Sequence, residues 1–103
     1  MAWINKPKRR TPEHITENEK RRREIYSSTR WRKLRAAKER DNPLCEICLA
    51  NGRVTPTEDI HHITTFVDID DALRRKDVAY NYDNLQSLCK VCHQKIHNGT
   101  ANQ

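Results

Sequence analysis

Residues 88–97 read LCKVCHQKIH, so two cysteines and two histidines lie in one short stretch of the chain. A second Cys-x-x-Cys pair lies upstream at residues 45–48, and the doublet His61-His62 lies between the two pairs. Two such pairs are typical of a tetrahedral zinc site in which four thiolates bind the ion. Two disulfides or four unrelated thiols are the alternatives. We predict a structural Zn²⁺ site with these ligands: Cys45, Cys48, Cys89 and Cys92.

The size and composition of the chain favour one small domain that needs such a site. The chain has 103 residues, of which 35% are hydrophobic, and its mean hydropathy is −1.04. So few apolar side chains stabilise a fold of this size weakly, and small scaffolds usually add metals or disulfides. We find neither an N-terminal apolar run like a signal peptide nor a stretch as long as a membrane span. We therefore expect a cytoplasmic location, where thiols stay reduced and free for zinc, and no membrane partner.

Charge is unevenly distributed along the chain. Residues 1–40 contain 14 Lys and Arg against 5 Asp and Glu, a net charge of +9, whereas residues 41–103 carry a net charge of −3. A basic segment ahead of a mildly acidic domain favours a polyanionic partner, because Lys and Arg release counterions from phosphates. A solvated basic helix without a partner is the alternative.

The local patterns divide the chain into four segments. Residues 1–10 are predicted to form a flexible basic arm and residues 99–103 a frayed tail. Residues 11–40 are predicted to form two basic helices that pack on the core, one starting at Thr11 and one spanning about Thr29 to Glu39. In the second helix we expect Trp31 to be a packing anchor. Residues 41–98 form the core, with a short strand around residues 59–64, an ambiguous stretch at residues 65–80, and a short helix from Cys89.

The histidines form a second possible metal site. His93 and His97 are four residues apart on the predicted helix, so they share a face and can bind one ion. His61 and His62 are adjacent on a predicted strand, so their side chains point to opposite faces. One of the two can complete a three-nitrogen site, and the other can accept a proton from water near neutral pH. Ordinary hydrogen bonding, solvent exposure, or a second structural zinc site are the alternatives.

These residues together resemble a known family. The segments that carry the likeness are Ile60-His61-His62-Ile63, Asn84-Leu85 and the stretch at residues 88–97, preceded by Tyr26-Ser27-Ser28, Trp31-Arg32 and Pro43-Leu44-Cys45. They resemble the HNH endonucleases, and more narrowly the four-cysteine, zinc-stapled members found in bacteriophage and prophage genomes. The resemblance implies a small α+β zinc domain with a ββα-metal, treble-clef-like core.

The resemblance also implies roles for individual residues. His62 matches the general base that activates water, and Asn84 matches the middle residue of the motif, which ties down the loop and orients the base. His61, His93 and His97 match the ligands of the catalytic metal. Position 61 is Asp in many relatives, and an all-histidine site should favour Zn²⁺, Ni²⁺ or Mn²⁺ more than Mg²⁺. The acids Asp68, Asp70 and Asp71 are read as a solvated loop rather than as an extra metal site.

The function that this implies is a metal-dependent DNA endonuclease or nickase of low sequence specificity. The cofactors would be the structural Zn²⁺ and a catalytic divalent cation: Mn²⁺, Mg²⁺, Ni²⁺ or Zn²⁺. We expect basic side chains to follow the DNA backbone without reading its sequence, namely Arg21, Arg22, Arg23, Arg30, Arg32 and Lys33. Relatives of this type are encoded beside phage packaging genes, which suggests a role in DNA packaging with packaging proteins as partners. Restriction or mobile-element roles fit the residues equally. The alternative is a non-catalytic zinc module that binds nucleic acid.

Overall fold

The structure is a computed structural model that describes residues 15–98. In this part of the chain there are five α-helices and two short strands, and the predicted α+β fold class is confirmed. The elements are α1 (Glu17–Tyr26), α2 (Thr29–Asp41), α3 (Glu46–Ala50), β1 (Asp59–His62), α4 (Ala72–Ala79), β2 (Leu85–Leu88) and α5 (Lys90–His97). The predicted arm at residues 1–10 and the tail at residues 99–103 lie outside the described residues, as does Thr11. The helix expected to run from Thr11 to about Tyr26 begins instead at Glu17, because Thr16 is its N-cap.

The two N-terminal helices have well-formed caps. Thr16 caps α1 through a capping box, in which its side chain accepts from the Glu19 amide and the Glu19 side chain accepts from the Thr16 amide. This arrangement satisfies two backbone donors that the first helical turn leaves free. Ser28 caps α2 by accepting from the Trp31 amide, and α2 ends at Asp41, directly before Asn42-Pro43. The break predicted at residues 27–29 is therefore present.

One apolar cluster joins the N-terminal helices to the rest of the domain. Its buried members are Ile25, Trp31, Ile60, Phe66, Val67, Ala79 and Leu85. Trp31 is 5% exposed, which confirms its predicted use as a packing anchor. A second cluster consists of the four cysteines with Leu88. Between residues 15 and 98, one small apolar core thus lies beside a cluster built largely from sulfur.

The strands and α5 form the framework that positions the histidines. β1 and β2 pair antiparallel, with Asp59 opposite Leu88 and His62 opposite Leu85. The chain leaves β2 and enters α5 almost at once, where Glu58 accepts a hydrogen bond from the Lys90 amide at 2.8 Å. Along β1, Ile60 and His62 are buried whereas Asp59 and His61 are partly exposed, as strand alternation requires. The doublet is therefore divided between two faces.

The ambiguous stretch at residues 65–80 contains more helix than predicted. It includes α4, which is capped by the Asp71 side chain and is longer than the single turn expected near residues 71–75. The Ala79 carbonyl at its C-terminal end lies next to the His62 ring. Within residues 15–98, none of the helices combines the length and the apolar character that crossing a membrane would require.

Candidate metal centre and catalytic pocket

The four cysteines meet at one point, as predicted. All are buried, none forms a disulfide, and their sulfur atoms lie within 4.8 Å of one another. The Cys48 sulfur lies 3.9 Å from that of Cys89 and 3.7 Å from that of Cys92. A tetrahedral zinc ion with Zn–S bonds of about 2.3 Å requires sulfur atoms about 3.8 Å apart. The donor set and its spacing therefore fit structural zinc.

The surroundings of the thiols also favour a bound cation. Hydrogen bonds from Thr55 and then Arg53 lower the pKa of Cys48 to about 6, which favours its thiolate. Burial raises the pKa of Cys92 to about 12. A buried thiolate among other sulfur atoms needs a positive charge nearby, and a divalent ion supplies it.

Three histidines form a second cluster of donors. One nitrogen each from His61, His93 and His97 lies within 4.8 Å of the others. The Nε2 atoms of His93 and His97 are 3.1 Å apart, a spacing that two ligands of one ion adopt when each bond is about 2.1 Å. Burial, followed by the neighbouring imidazoles of His93 and His97, lowers the pKa of His61 to about 4. His61 is therefore neutral at pH 7, the form in which imidazole binds metals.

A carboxylate that the sequence reasoning did not select borders this triad. Asp59 lies two residues before His61, on the same face of β1, and its Oδ2 is 3.0 Å from Nδ1 of His93. The Lys90 ammonium group lies 3.5 Å from the other carboxylate oxygen. The period-two spacing of Asp59 and His61 was the signal in the sequence that could have identified it.

His62 lies on the opposite face of β1, packed in the core yet bordering the pocket of the triad. Its ring stacks on Trp31 with centroids 5.0 Å apart and meets the edge of Phe66. Its Nε2 is 2.9 Å from the Ala79 carbonyl oxygen. A carbonyl can only accept, so Nε2 carries the proton and Nδ1 keeps the lone pair. His62 is 8% exposed, so it is less free than the sequence reasoning expected.

The electrostatic environment of His62 favours its neutral form. Burial lowers its pKa, and the hydrogen bond to Ala79 opposes that shift. The Nδ1 atom lies 3.5 Å from the Tyr26 hydroxyl, whose pKa is raised by burial. Tyr26 is a second pocket residue that the sequence reasoning did not assign to the site, because nothing in the local pattern places α1 over β1.

Asn84 ties together the segments around His62. Its side-chain amide donates to the carbonyls of Thr64 and Val78, and its side-chain oxygen accepts from the Thr64 amide at 2.8 Å. Val78 immediately precedes Ala79, whose carbonyl accepts from His62. These contacts fit the loop-tying role that the resemblance implies for Asn84.

His62 and the triad border the same cavity. A pocket of about 310 Å³ brings Arg22 and Tyr26 of α1 together with four histidines: His61, His62, His93 and His97. The base candidate, the three metal-ligand candidates and a guanidinium group therefore meet in one concave site. This is the arrangement expected for hydrolysis of an anionic ester.

The predicted DNA-contacting side chains do not form one uniform surface. Arg22 lines the pocket, and Arg23 and Lys33 are exposed. Arg30 lies over the Tyr80 ring at 4.3 Å, and the Arg32 guanidinium donates to the Ser27 carbonyl at 3.1 Å. Arg21 donates to the Val67 carbonyl at 2.6 Å and pairs with Asp70, so its guanidinium is used to hold residues 67–70 against α1.

Comparisons with known proteins agree with this geometry. A family model described as HNH endonuclease matches residues 45–99. Among solved structures, this chain is similar to the crystal structure of "deep-sea thermophilic bacteriophage GVE2 HNH endonuclease with manganese ion". The two share 32% sequence identity, and their TM-score is 0.65. That similarity covers 80% of this chain and 84% of the other. No curated protein matches the chain significantly.

Proposed function

Because the chain belongs to the HNH endonuclease family and is thus a phosphodiester-cleaving nuclease, we propose that it is a divalent-metal-dependent DNA endonuclease or nickase of low sequence specificity. The observation that carries the proposal is the shared pocket of His62 and the imidazole triad. A non-catalytic zinc module would have no need for a neutral imidazole and three converging nitrogens in one cavity. Membership in a nuclease family also favours the enzyme over that alternative.

The proposed role of His62 follows from its two ring nitrogens. Nε2 is fixed by the Ala79 carbonyl at 2.9 Å, so the ring cannot rotate without losing a buried hydrogen bond. Nδ1 remains as a proton acceptor on the side of the pocket that Tyr26 borders. We propose that Nδ1 takes the proton of the attacking water, and that Asn84 holds the Val78–Ala79 segment on which the orientation of the ring depends.

The triad would hold the catalytic cation. His61, His93 and His97 offer three imidazole nitrogens, a donor set that suits Mn²⁺, Ni²⁺ or Zn²⁺ better than Mg²⁺. When bound, a divalent ion stabilises the charge that develops on the phosphate and on the leaving oxygen. Manganese is our first candidate, because the similar phage enzyme was crystallised with it. By resemblance to the family, the products would carry 5′-phosphate and 3′-hydroxyl ends.

A plasmid assay tests the proposal. Supercoiled DNA is incubated with the zinc-loaded protein and Mn²⁺, Mg²⁺ or Ni²⁺, with EDTA as the control. We expect open-circular product first, and linear product only if both strands are cut. In His97→Ala the rate at limiting Mn²⁺ should fall by at least about 10–100-fold, because losing a direct ligand should cost no less than losing an outer contact. No cleavage by the wild type with any ion would contradict the proposal.

Arg22 is expected to bind a phosphate of the substrate, since it is the arginine that borders the pocket. In Arg22→Ala the slope of log K against log salt for a short duplex should decrease by about 1, the change expected for one lost phosphate contact. Fluorescence anisotropy without divalent metal measures this slope. Arg35→Ala is the matched control, because Arg35 is paired with Glu39 and lies outside the predicted contact set. Equal changes in both variants would argue against a specific role for Arg22.

We place the reaction in the cytoplasm of a bacterial host, where reduced thiols would retain zinc. The similar phage enzyme supports a phage-related role, and processing of DNA during packaging is the role that we propose. The identity of the neighbouring genes would test it: genes for packaging proteins support the role, and restriction or transposition genes would replace it.

A further inference from the structure

We propose that Asp59 is a positioning residue for the metal site, which fixes the His93 ring so that Nε2 is the nitrogen presented to the cation. The inference rests on the proposed function, since it takes the imidazole triad to be the cation site. Asp59 is not among the site residues predicted from the sequence, and its carboxylate is not one of the three nitrogen donors of the triad.

The hydrogen-bond geometry determines which nitrogen is available. Asp59 Oδ2 lies 3.0 Å from His93 Nδ1, and a carboxylate accepts, so Nδ1 carries the proton. The lone pair is then on Nε2, which lies 3.1 Å from Nε2 of His97. The carboxylate and the proposed cation site therefore lie at opposite ends of the His93 imidazole ring. This arrangement is common where a histidine binds a metal.

The backbone explains why Asp59 reaches His93. Asp59 and His61 are two residues apart on β1 and so point to the same face. Asp59 pairs with Leu88, the last residue of β2, and α5 begins two residues later at Lys90. His93 is on the first turn of α5, directly beside Asp59. The same short connection thus brings one ligand and its carboxylate together.

The contact between Asp59 and His93 is better shielded than the other contact of Asp59. The side chains of Asp59 and His93 are 26% and 23% exposed, whereas that of Lys90 is 70% exposed. Within residues 15–98, His93 is the member of the triad that contacts a carboxylate. Shielding strengthens a charge-assisted hydrogen bond, and an exposed ion pair contributes little.

Two effects on the cation follow. The carboxylate keeps His93 in the tautomer that a metal needs, so binding requires no change of tautomer. It also adds a negative charge beside a donor set of three imidazoles. Removal of such outer contacts typically lowers metal affinity by about 10–100-fold.

The first test is Mn²⁺ binding to the zinc-loaded full chain without DNA, with the free ion measured by electron paramagnetic resonance. We expect Asp59→Ala to bind Mn²⁺ about 10–100-fold more weakly than the wild type. Asp59→Asn should lose less, because its amide oxygen still accepts from Nδ1. Lys90→Met is the matched control: it removes the other partner of Asp59 and leaves the contact with His93, so its Mn²⁺ affinity should stay close to wild type.

The second test reads the tautomer directly. Long-range ¹H–¹⁵N spectra of the chain without Mn²⁺ should show His93 with its proton on Nδ1 in the wild type. In Asp59→Ala the proton should move largely to Nε2, the form that free histidine prefers. Zinc content and circular dichroism should be unchanged in all variants, which separates this effect from unfolding.

The possible outcomes separate this inference from the proposed function. If His97→Ala weakens Mn²⁺ binding but Asp59→Ala does not, Asp59 does not position His93 and only this inference fails. Equal losses in Asp59→Ala and Lys90→Met would mean that Asp59 acts by anchoring α5, which also overturns it. A wild-type protein that does not bind Mn²⁺ would overturn the proposed function as well.

Discussion

We expect His62→Ala to lower the rate of plasmid cleavage by about 10²–10⁴-fold, the usual contribution of a positioned general base. The reason is geometric, because Nε2 of His62 is bonded to the Ala79 carbonyl and Nδ1 is the proton acceptor left in the pocket. Mn²⁺ affinity should remain close to wild type, since His62 lies on the face of β1 opposite the triad. Initial rates of nicking and Mn²⁺ titration measure the two quantities in the same preparation.

The His62 substitution needs controls for packing, because the ring lies between Trp31 and Phe66. His62→Gln keeps most of the volume and a donor for the Ala79 carbonyl but has no basic nitrogen. It should be as inactive as His62→Ala while melting closer to the wild type. Added imidazole should partly restore cleavage by His62→Ala, because the space left by the ring borders the pocket. Unimpaired cleavage by both variants would assign the base to another residue.

Cys45→Ser is expected to unfold the domain. Cys45 is fully buried, and its sulfur is one of four donors whose spacing fits zinc. Structural zinc sites contribute about 10–16 kcal/mol of apparent binding free energy at pH 7, as much as the whole stability of a typical domain. We therefore expect loss of zinc together with loss of helical circular dichroism and of dispersed amide resonances.

Treating the wild type with a strong zinc chelator should reproduce the Cys45→Ser result, because both remove the same cation. Adding zinc back should restore the wild type but not the variant. A variant that keeps the wild-type spectrum without bound zinc would show that the apolar core is sufficient by itself.

The parts of the site that were predictable from the sequence depend on local geometry. A Cys-x-x-Cys turn brings two sulfurs together in almost any context, and an i, i+4 pair on a helix shares one face. The division of His61 and His62 between two faces follows from the period of a strand. These rules need no knowledge of the tertiary fold, and the cysteine cluster and the histidine cluster are both present.

The remaining parts depend on packing between distant segments. Tyr26 enters the pocket because the C-terminal end of α1 contacts His62, and the Ala79 carbonyl reaches His62 because α4 ends there. Residues 65–80 contain α4, but the sequence pattern there did not decide between extended and helical structure. Arg21 looked like its neighbours Arg22 and Arg23 in the sequence, yet its guanidinium binds the Val67 and Ile69 carbonyls. A count of basic residues cannot distinguish an arginine that holds the fold from one that faces a ligand.

The apolar cluster that includes Ile25 and Trp31 sets the minimum length of a nuclease domain that could be transferred from this chain to a fusion protein. The stretch matched by the family model begins at residue 45, but two of the three aromatic rings around His62, those of Tyr26 and Trp31, come from residues well before it. A fusion protein in which this chain begins at residue 45 would therefore contain the metal-ligand candidates but lack the contacts of Tyr26 and Trp31 with His62. The smallest transferable unit has to start no later than the Thr16 cap.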